Sequence, residues 1–231
     1  LHKRSHSFPT RRSSDLSIPL QLELALALLL TEHIDERDEL ALDALRRARA
    51  LGRDDLLANA LLGSRVAHHG PEHVEARLAE IDEILALPAG ARPFAVTIGA
   101  LVARHEDSLL QGDRAAASAA LIEASKLADD VDHPYWRWVV ATWRVLDQII
   151  DGRLDAAEEL AFEAATWQAD HPEAMACLGV QLVDIRLFQG RSAEVVDLLR
   201  GAADDNPQIP CYRAVLALCL AAAGRLDDAS V

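Results

Sequence analysis

The chain has 231 residues, of which 51% are hydrophobic and 4% aromatic, and it carries a formal net charge of −14. This length can bury a sizeable core as one or two domains or as a continuous solenoid. The acidic charge argues against binding of this segment to nucleic acid or to anionic membranes, and no apolar run reaches the ~18 residues of a membrane span. Abundant alanine and leucine with few aromatic residues favour helices over sheets.

Residues 1–16 differ from the rest of the chain because they are basic, rich in serine and almost free of aliphatic side chains. A transit peptide has such a composition. Residues 7–16, however, resemble the translated end of a common sequencing adapter. We interpret 1–16 as a cloning or assembly artefact, expect it to be disordered because it offers little apolar surface to offset ordering entropy, and take 17–231 as the folded domain.

Apolar residues at helical spacing, interrupted by glycine, proline and polar clusters, predict a succession of helices after this segment. A polar turn is predicted through residue 38, and no strand or long linker is expected. The predicted helices cover 20–31, 39–51, 54–66, 72–87, 94–111, 114–128, 135–151, 155–168, 173–189, 193–203 and 211–223, and a last one runs to 231.

Four glycines join the two helices of successive pairs at spacings of 40, 38 and 34 residues: Gly112, Gly152, Gly190 and Gly224. Arginine follows three of them directly. In the stretch 190–207, Val195, Leu199 and Ala202 share one helical face and Asn206-Pro207 ends the helix. This pattern resembles the second helix of a tetratricopeptide (TPR) repeat. We therefore predict an all-α, TPR-like right-handed superhelix of antiparallel helix pairs, an α-solenoid, whose junction glycines adopt a left-handed backbone.

Further landmarks lie at residues 49–61, 69–72, 134–138, 179–182 and 206–225. Their order over residues 20–229 resembles the helical-repeat region of large actinobacterial-type signalling ATPases of the STAND class. In that family the repeats follow an ATPase module and an output domain of LuxR type, SARP type or nucleotide-cyclase type. The resemblance implies a sensor and scaffold role in the cytoplasm.

No catalytic residue of that family can be transferred to this chain, because the sequence has no G-x-x-x-x-G-K-[ST] loop for a nucleotide phosphate. We therefore predict neither enzyme activity nor a cofactor. The histidines at 68, 69, 73 and 105 suggest a metal site, but we interpret the first two as polar residues at a helix end. Trp136 and Trp143 share a face with Val139 and Val140, which favours core packing over a ligand site.

Partner-binding residues are predicted from equal offsets to the junction glycines, because such positions stack along one face of a solenoid. Counting back eight residues gives Arg104 and Arg144, and counting back four gives Ser108, Gln148 and Arg186. These five residues would form a polar, basic stripe suited to a carboxylate-bearing peptide, an acidic helix of the same full-length protein or a phosphorylated effector. A solvated helix face is the simpler interpretation of the same pattern.

Two functions are compatible with this sequence. One is a non-catalytic interaction and sensor segment of a bacterial ATPase-type transcriptional or signalling regulator, with a protein or peptide partner. The alternative is a free-standing TPR adaptor that binds peptide segments. We expect the chain to be truncated at both ends, which favours the first, and we expect Cys177, Cys211 and Cys219 to be free thiols in a reducing cytosol.

Overall fold

The computed structural model describes residues 11–29 and 31–229, and these residues form α-helices and short 3₁₀ turns without any strand. The prediction of an all-α fold is confirmed for this part of the chain. None of the described helices is long and apolar enough to cross a membrane. The helices are α1 (Arg11–Ala27), α2 (Ile34–Leu51), α3 (Asp54–Gly63), α4 (Val74–Ala86), α5 (Phe94–Leu110), α6 (Arg114–Val131), α7 (Pro134–Ile150), α8 (Leu154–Thr166), α9 (Pro172–Phe188), α10 (Val196–Asp205) and α11 (Pro210–Ala222).

The chain divides into two compact units, Leu1–Ala120 and Leu121–Val231, and the division falls within α6. In the first unit α1 packs against α2 and α3, and α3 packs against α4 and α5. In the second unit α7 packs against α8 and α9, α8 packs against α9, and α10 packs against α11. Several helices therefore contact both the next helix and the one after it.

Each unit has its own hydrophobic core, and alanine is prominent in both. In the first unit Ile18 of α1 and Leu61 of α3 are fully buried together with Ile81 and Ile84 of α4. In the second unit Ala157, Ala161 and Ala165 of α8 face inward, against Val145 and Ile185. Small side chains on one helix let a neighbouring backbone approach closely, so alanine here serves packing as well as helix propensity.

The four junction glycines share one hydrogen-bonded turn. Each has a positive φ, between 71° and 78°. The glycine N–H donates to the carbonyl three residues earlier, and the next residue's N–H donates to the carbonyl five residues earlier. This pair of bonds is the Schellman motif, which satisfies carbonyls left free at a helix end. The predicted left-handed glycines are confirmed. The five-residue bonds are Asp113 to Ser108, Arg153 to Gln148, Arg191 to Arg186 and Arg225 to Leu220, at 2.7–2.9 Å.

The beginning of the chain differs from the prediction. Residues 1–10 lie outside the described residues, but α1 begins at Arg11, so residues 11–16 are helical rather than disordered. Ile18 anchors α1 in the core, and Arg47 of α2 donates hydrogen bonds to Ser17 and Gln21. Extension of a helix from an anchored turn costs little, which accounts for the extra residues.

Two further boundaries also differ. The predicted polar turn through residue 38 is wrong, because α2 already begins at Ile34. Its first turn contains Asp35 and Glu36, whose negative charges interact favourably with the free N–H groups of a helix N-terminus. Near the other end, Leu226–Ala229 forms a 3₁₀ turn, and residues 230 and 231 lie outside the described residues.

The tryptophans of α7 are also arranged differently from the prediction. Trp138 is the buried one and packs near Ala141, Ala164 and Ala174, whereas Trp136 and Trp143 are only partly buried. The inward face of α7 continues through Val145 and keeps the helical spacing of Trp138 and Ala141. Trp138, rather than Trp136 and Trp143, is therefore the core tryptophan of α7.

Replacement of Gly152 or Gly190 by valine is expected to lower the free energy of unfolding by about 1–2 kcal/mol, because a β-branched residue is strained at positive φ. A Cβ at either position would meet no atom within 4 Å, so the effect isolates the backbone conformation. Urea denaturation measures it. Asparagine at the same positions should cost less, since asparagine tolerates the left-handed region.

The matched control is Gly201→Ala. Gly201 lies inside α10, without a positive φ, and a Cβ there also meets nothing. Alanine should stabilise this helix by about 0.5–1 kcal/mol. Equal effects of substitution at Gly152 and Gly201 would contradict the assigned junction.

Candidate functional site

A cleft of about 520 Å³ opens along α7 in the second unit. Arg137, Val140, Ala141 and Arg144 share one face of α7, because their spacing of three and four residues matches the helical repeat. Trp167, directly after α8, forms another part of the wall. The remaining lining residues are Ser125, Ala128, Asp129 and Pro134.

The two arginines of the cleft differ in their electrostatic surroundings. Arg137 forms ion pairs with Asp129 at 3.3 Å and with Asp132 at 2.9 Å. Asp132 directly follows α6 at a positive φ of 49°, a conformation that aspartate tolerates better than most residues. The charge of Arg137 is therefore balanced by the turn between α6 and α7.

The side chain of Arg144 is exposed and forms no ion pair or hydrogen bond with any residue in the described part of the chain. Its guanidinium can therefore bind an incoming anion without first breaking an internal ion pair. Trp167, which is 37% exposed, supplies apolar surface nearby, and the buried Val140 and Ala141 form the floor beneath it. The cleft thus combines a free cation with an apolar wall, an arrangement that suits a carboxylate flanked by apolar side chains.

The other members of the predicted stripe in the second unit already have partners. Gln148 accepts a hydrogen bond of 2.5 Å from Nε of Arg153. Arg186 binds both carboxylate oxygens of Glu158 at 2.5 Å and lies 3.2 Å from a carboxylate oxygen of Glu194. The Arg186 hydrogen bond holds the pKa of Glu158 below its usual value. Arg186 therefore links α9 to α8 rather than offering a free charge.

The two members of the stripe in the first unit do not form a basic surface either. Arg104 pairs with Asp82 of α4. Ser108 is buried, so its predicted place on an exposed stripe is wrong. Its spacing from Leu101 and His105, which are also buried, puts Ser108 on the inward face of α5. Of the five predicted residues, Arg144 is the one that the structure leaves exposed without an ion-pair partner among the described residues.

The histidines considered as metal ligands have other surroundings. The rings of His68 and His73 lie 5.3 Å apart, and Nδ1 of His68 lies 3.7 Å from Glu80. Burial raises the pKa of Glu80. Nδ1 of His105 lies 3.1 Å from the carbonyl oxygen of Ala117. Within residues 11–29 and 31–229, no group of three histidine, cysteine or acidic side chains is placed to hold a metal ion.

A buried ion-pair centre in the first unit escaped the sequence analysis. Asp107 of α5 is fully buried, and its Oδ1 accepts hydrogen bonds from Nε and Nη2 of Arg77 at 2.8 and 2.6 Å. Arg65 binds its other oxygen. Arg77 also donates to the carbonyls of His68 and Gly70. The centre therefore fastens the connection between α3 and α4 to α5.

The sequence does contain a signal for this centre. Arg77 lies three residues after Val74 and four before Ile81, both of which are buried. Asp107 follows the buried Ala103 by four residues in the same way. A charged residue in the apolar register of a helix indicates a buried charge that needs a partner.

Comparison with models of known protein families finds no match to this chain, and comparison with curated proteins finds none either. Inference about function therefore depends on the residues of the cleft and on the repeated helix pairs.

Replacement of Asp107 by asparagine is expected to lower the free energy of unfolding by about 3–5 kcal/mol, because it leaves the buried Arg77 without a countercharge, whereas Arg65 keeps its ion pair with Glu106. Urea denaturation gives this value. The matched control is Glu83→Gln, which removes an exposed ion pair with Arg49 and should cost at most about 1 kcal/mol. Similar losses in the two variants would show that the Asp107 centre does not fasten the first unit.

Proposed function

We propose that this chain is a non-catalytic protein-interaction segment whose TPR-like helix pairs form a right-handed solenoid, and that the cleft along α7 binds a carboxylate-bearing peptide. The observation that carries this proposal is the exposed Arg144, without an ion-pair partner among the described residues, beside an apolar wall in a chain of net charge −14.

The repeated junction supports the solenoid part of the proposal. Four glycines at spacings near those of TPR repeats close their helices with the same two hydrogen bonds. The packing of α7 with both α8 and α9 is the neighbour pattern that stacked helix pairs require. α3, α4 and α5 in the first unit follow the same pattern.

The charges around the cleft support the choice of ligand. Asp129 and Asp132 balance the charge of Arg137, so Arg144 is the position in the cleft where an incoming negative charge gains most. A guanidinium can bind both oxygens of a carboxylate, and Trp167 can cover an apolar side chain beside it. A short peptide that alternates acidic and apolar residues satisfies both requirements.

We place this binding segment in a bacterial, cytoplasmic ATPase-type regulator, on the resemblance of its landmarks to the helical-repeat region of STAND signalling proteins. An acidic helix of the same full-length protein then becomes the natural source of the bound carboxylate. In that arrangement occupation of the cleft would couple the repeats to the ATPase module.

The test uses the whole 231-residue chain and the peptide acetyl-Glu-Leu-Glu-Leu-Glu-amide, with its glutamine counterpart as the neutral probe. Isothermal titration calorimetry at low salt should show that the acidic peptide binds at least about tenfold tighter than the neutral one, and Arg144→Glu should remove this preference. Added salt should weaken the acidic peptide more than the neutral one.

Arg213→Glu is the matched control, because Arg213 is exposed, lacks an ion-pair partner among the described residues and lies outside the cleft. It changes the net charge equally and should leave the preference intact. Equal weakening by both variants would indicate unspecific attraction, and equal affinity of the unmodified chain for the two peptides would refute the proposed function.

A further inference from the structure

A second cavity in the same unit has the opposite electrostatic character. It has a volume of about 350 Å³ and lies among α9, α10 and α11. Its wall is mainly apolar, and Met175, Val180 and Leu198 remain more than half exposed. A volume of this size with an apolar lining and few polar groups is typical of small-molecule sites.

Asp184 of α9 lines this cavity and is only partly exposed. Its carboxylate forms no ion pair or hydrogen bond with another residue in the described part of the chain. Burial raises its pKa, because loss of water disfavours the charged form. Many other acidic side chains of this protein are paired with arginine, so a half-buried carboxylate without a cation is a cost that a bound cation would offset.

The rest of the cavity wall supplies no positive charge. The polar or titratable residues that line it besides Asp184 are Cys211 and Tyr212. Burial raises the thiol pKa of the neighbouring Cys219, and the charge of Asp184 raises it further. Positive charge at this position must therefore come from a ligand. Gly179 adds room on the same helix, since a Cβ at that position would meet no atom within 4 Å.

We propose that this cavity is a binding site for a small organic amine, in which the ammonium group pairs with Asp184 and the apolar body of the ligand lies against Val180, Leu198 and Tyr212. The site is independent of the peptide cleft, because the two cavities share no lining residue and select opposite charges. This segment would then bind a small molecule in addition to its peptide partner.

The experiment compares 4-phenylbutylamine with the uncharged 4-phenylbutan-1-ol, which has the same apolar body. Calorimetric titration of the full chain at neutral pH should show the amine bound about tenfold tighter, the effect expected of one charge-assisted hydrogen bond. Asp184→Asn should reduce this preference to less than about twofold. Gly179→Leu, which fills the cavity while favouring the helix, should weaken both compounds.

Asp184→Asn should also raise the melting temperature, because it removes a desolvated charge, so loss of amine selectivity cannot be attributed to unfolding. Asp155→Asn on α8 is the control for net charge, since Asp155 lies outside the cavity. Equal affinity for amine and alcohol, no binding of either compound, or a preference that survives Asp184→Asn would overturn the proposal. None of these outcomes depends on the peptide cleft, which Arg144→Glu tests separately.

Discussion

The left-handed glycine turn is the constraint on which this fold depends. At each junction one residue reverses its backbone, and two hydrogen bonds then use carbonyls that a simple helix end would leave free. The next helix can therefore begin within two residues and pack against the one just completed. A side chain with a Cβ strains this geometry even where space is open, as it is around all four glycines.

Two groups of charged residues differ in what they can offer to a ligand. Asp107 with Arg77 and Glu158 with Arg186 are internal pairs that hold neighbouring elements together. Arg144 and Asp184 line cavities without such partners among the described residues. An internal pair contributes little to recognition, because a ligand must first displace its partner. The two cavity residues have no such partner to displace, so the two proposed sites depend on this distinction rather than on the number of charges on a helix face.

The sequence predicted the helices and the junctions because both depend on local rules. Apolar spacing marks a helix face, and glycine marks a left-handed turn. The prediction of an exposed basic stripe was wrong at Ser108 and Arg186, because an equal offset from a glycine gives the position of a residue along its helix but not the residues that surround it. Ser108 faces inward on α5, and Arg186 finds Glu158 on the preceding helix. The sequence indicates that Arg77 and Asp107 are buried, because each occupies an apolar position of its helix. That the two pair with each other follows only from tertiary packing.

Hydrogen exchange at the residues that follow the junction glycines tests the repeated helix pair most directly. The amides of Asp113, Arg153, Arg191 and Arg225 each donate to the carbonyl five residues earlier, although all four lie in short turns. Residue-resolved NMR should show that they exchange about 100-fold slower than unstructured amides of the same sequence. Exchange of all four at the unstructured rate would mean that the helix pairs are not closed by this turn, and would contradict the architecture described above.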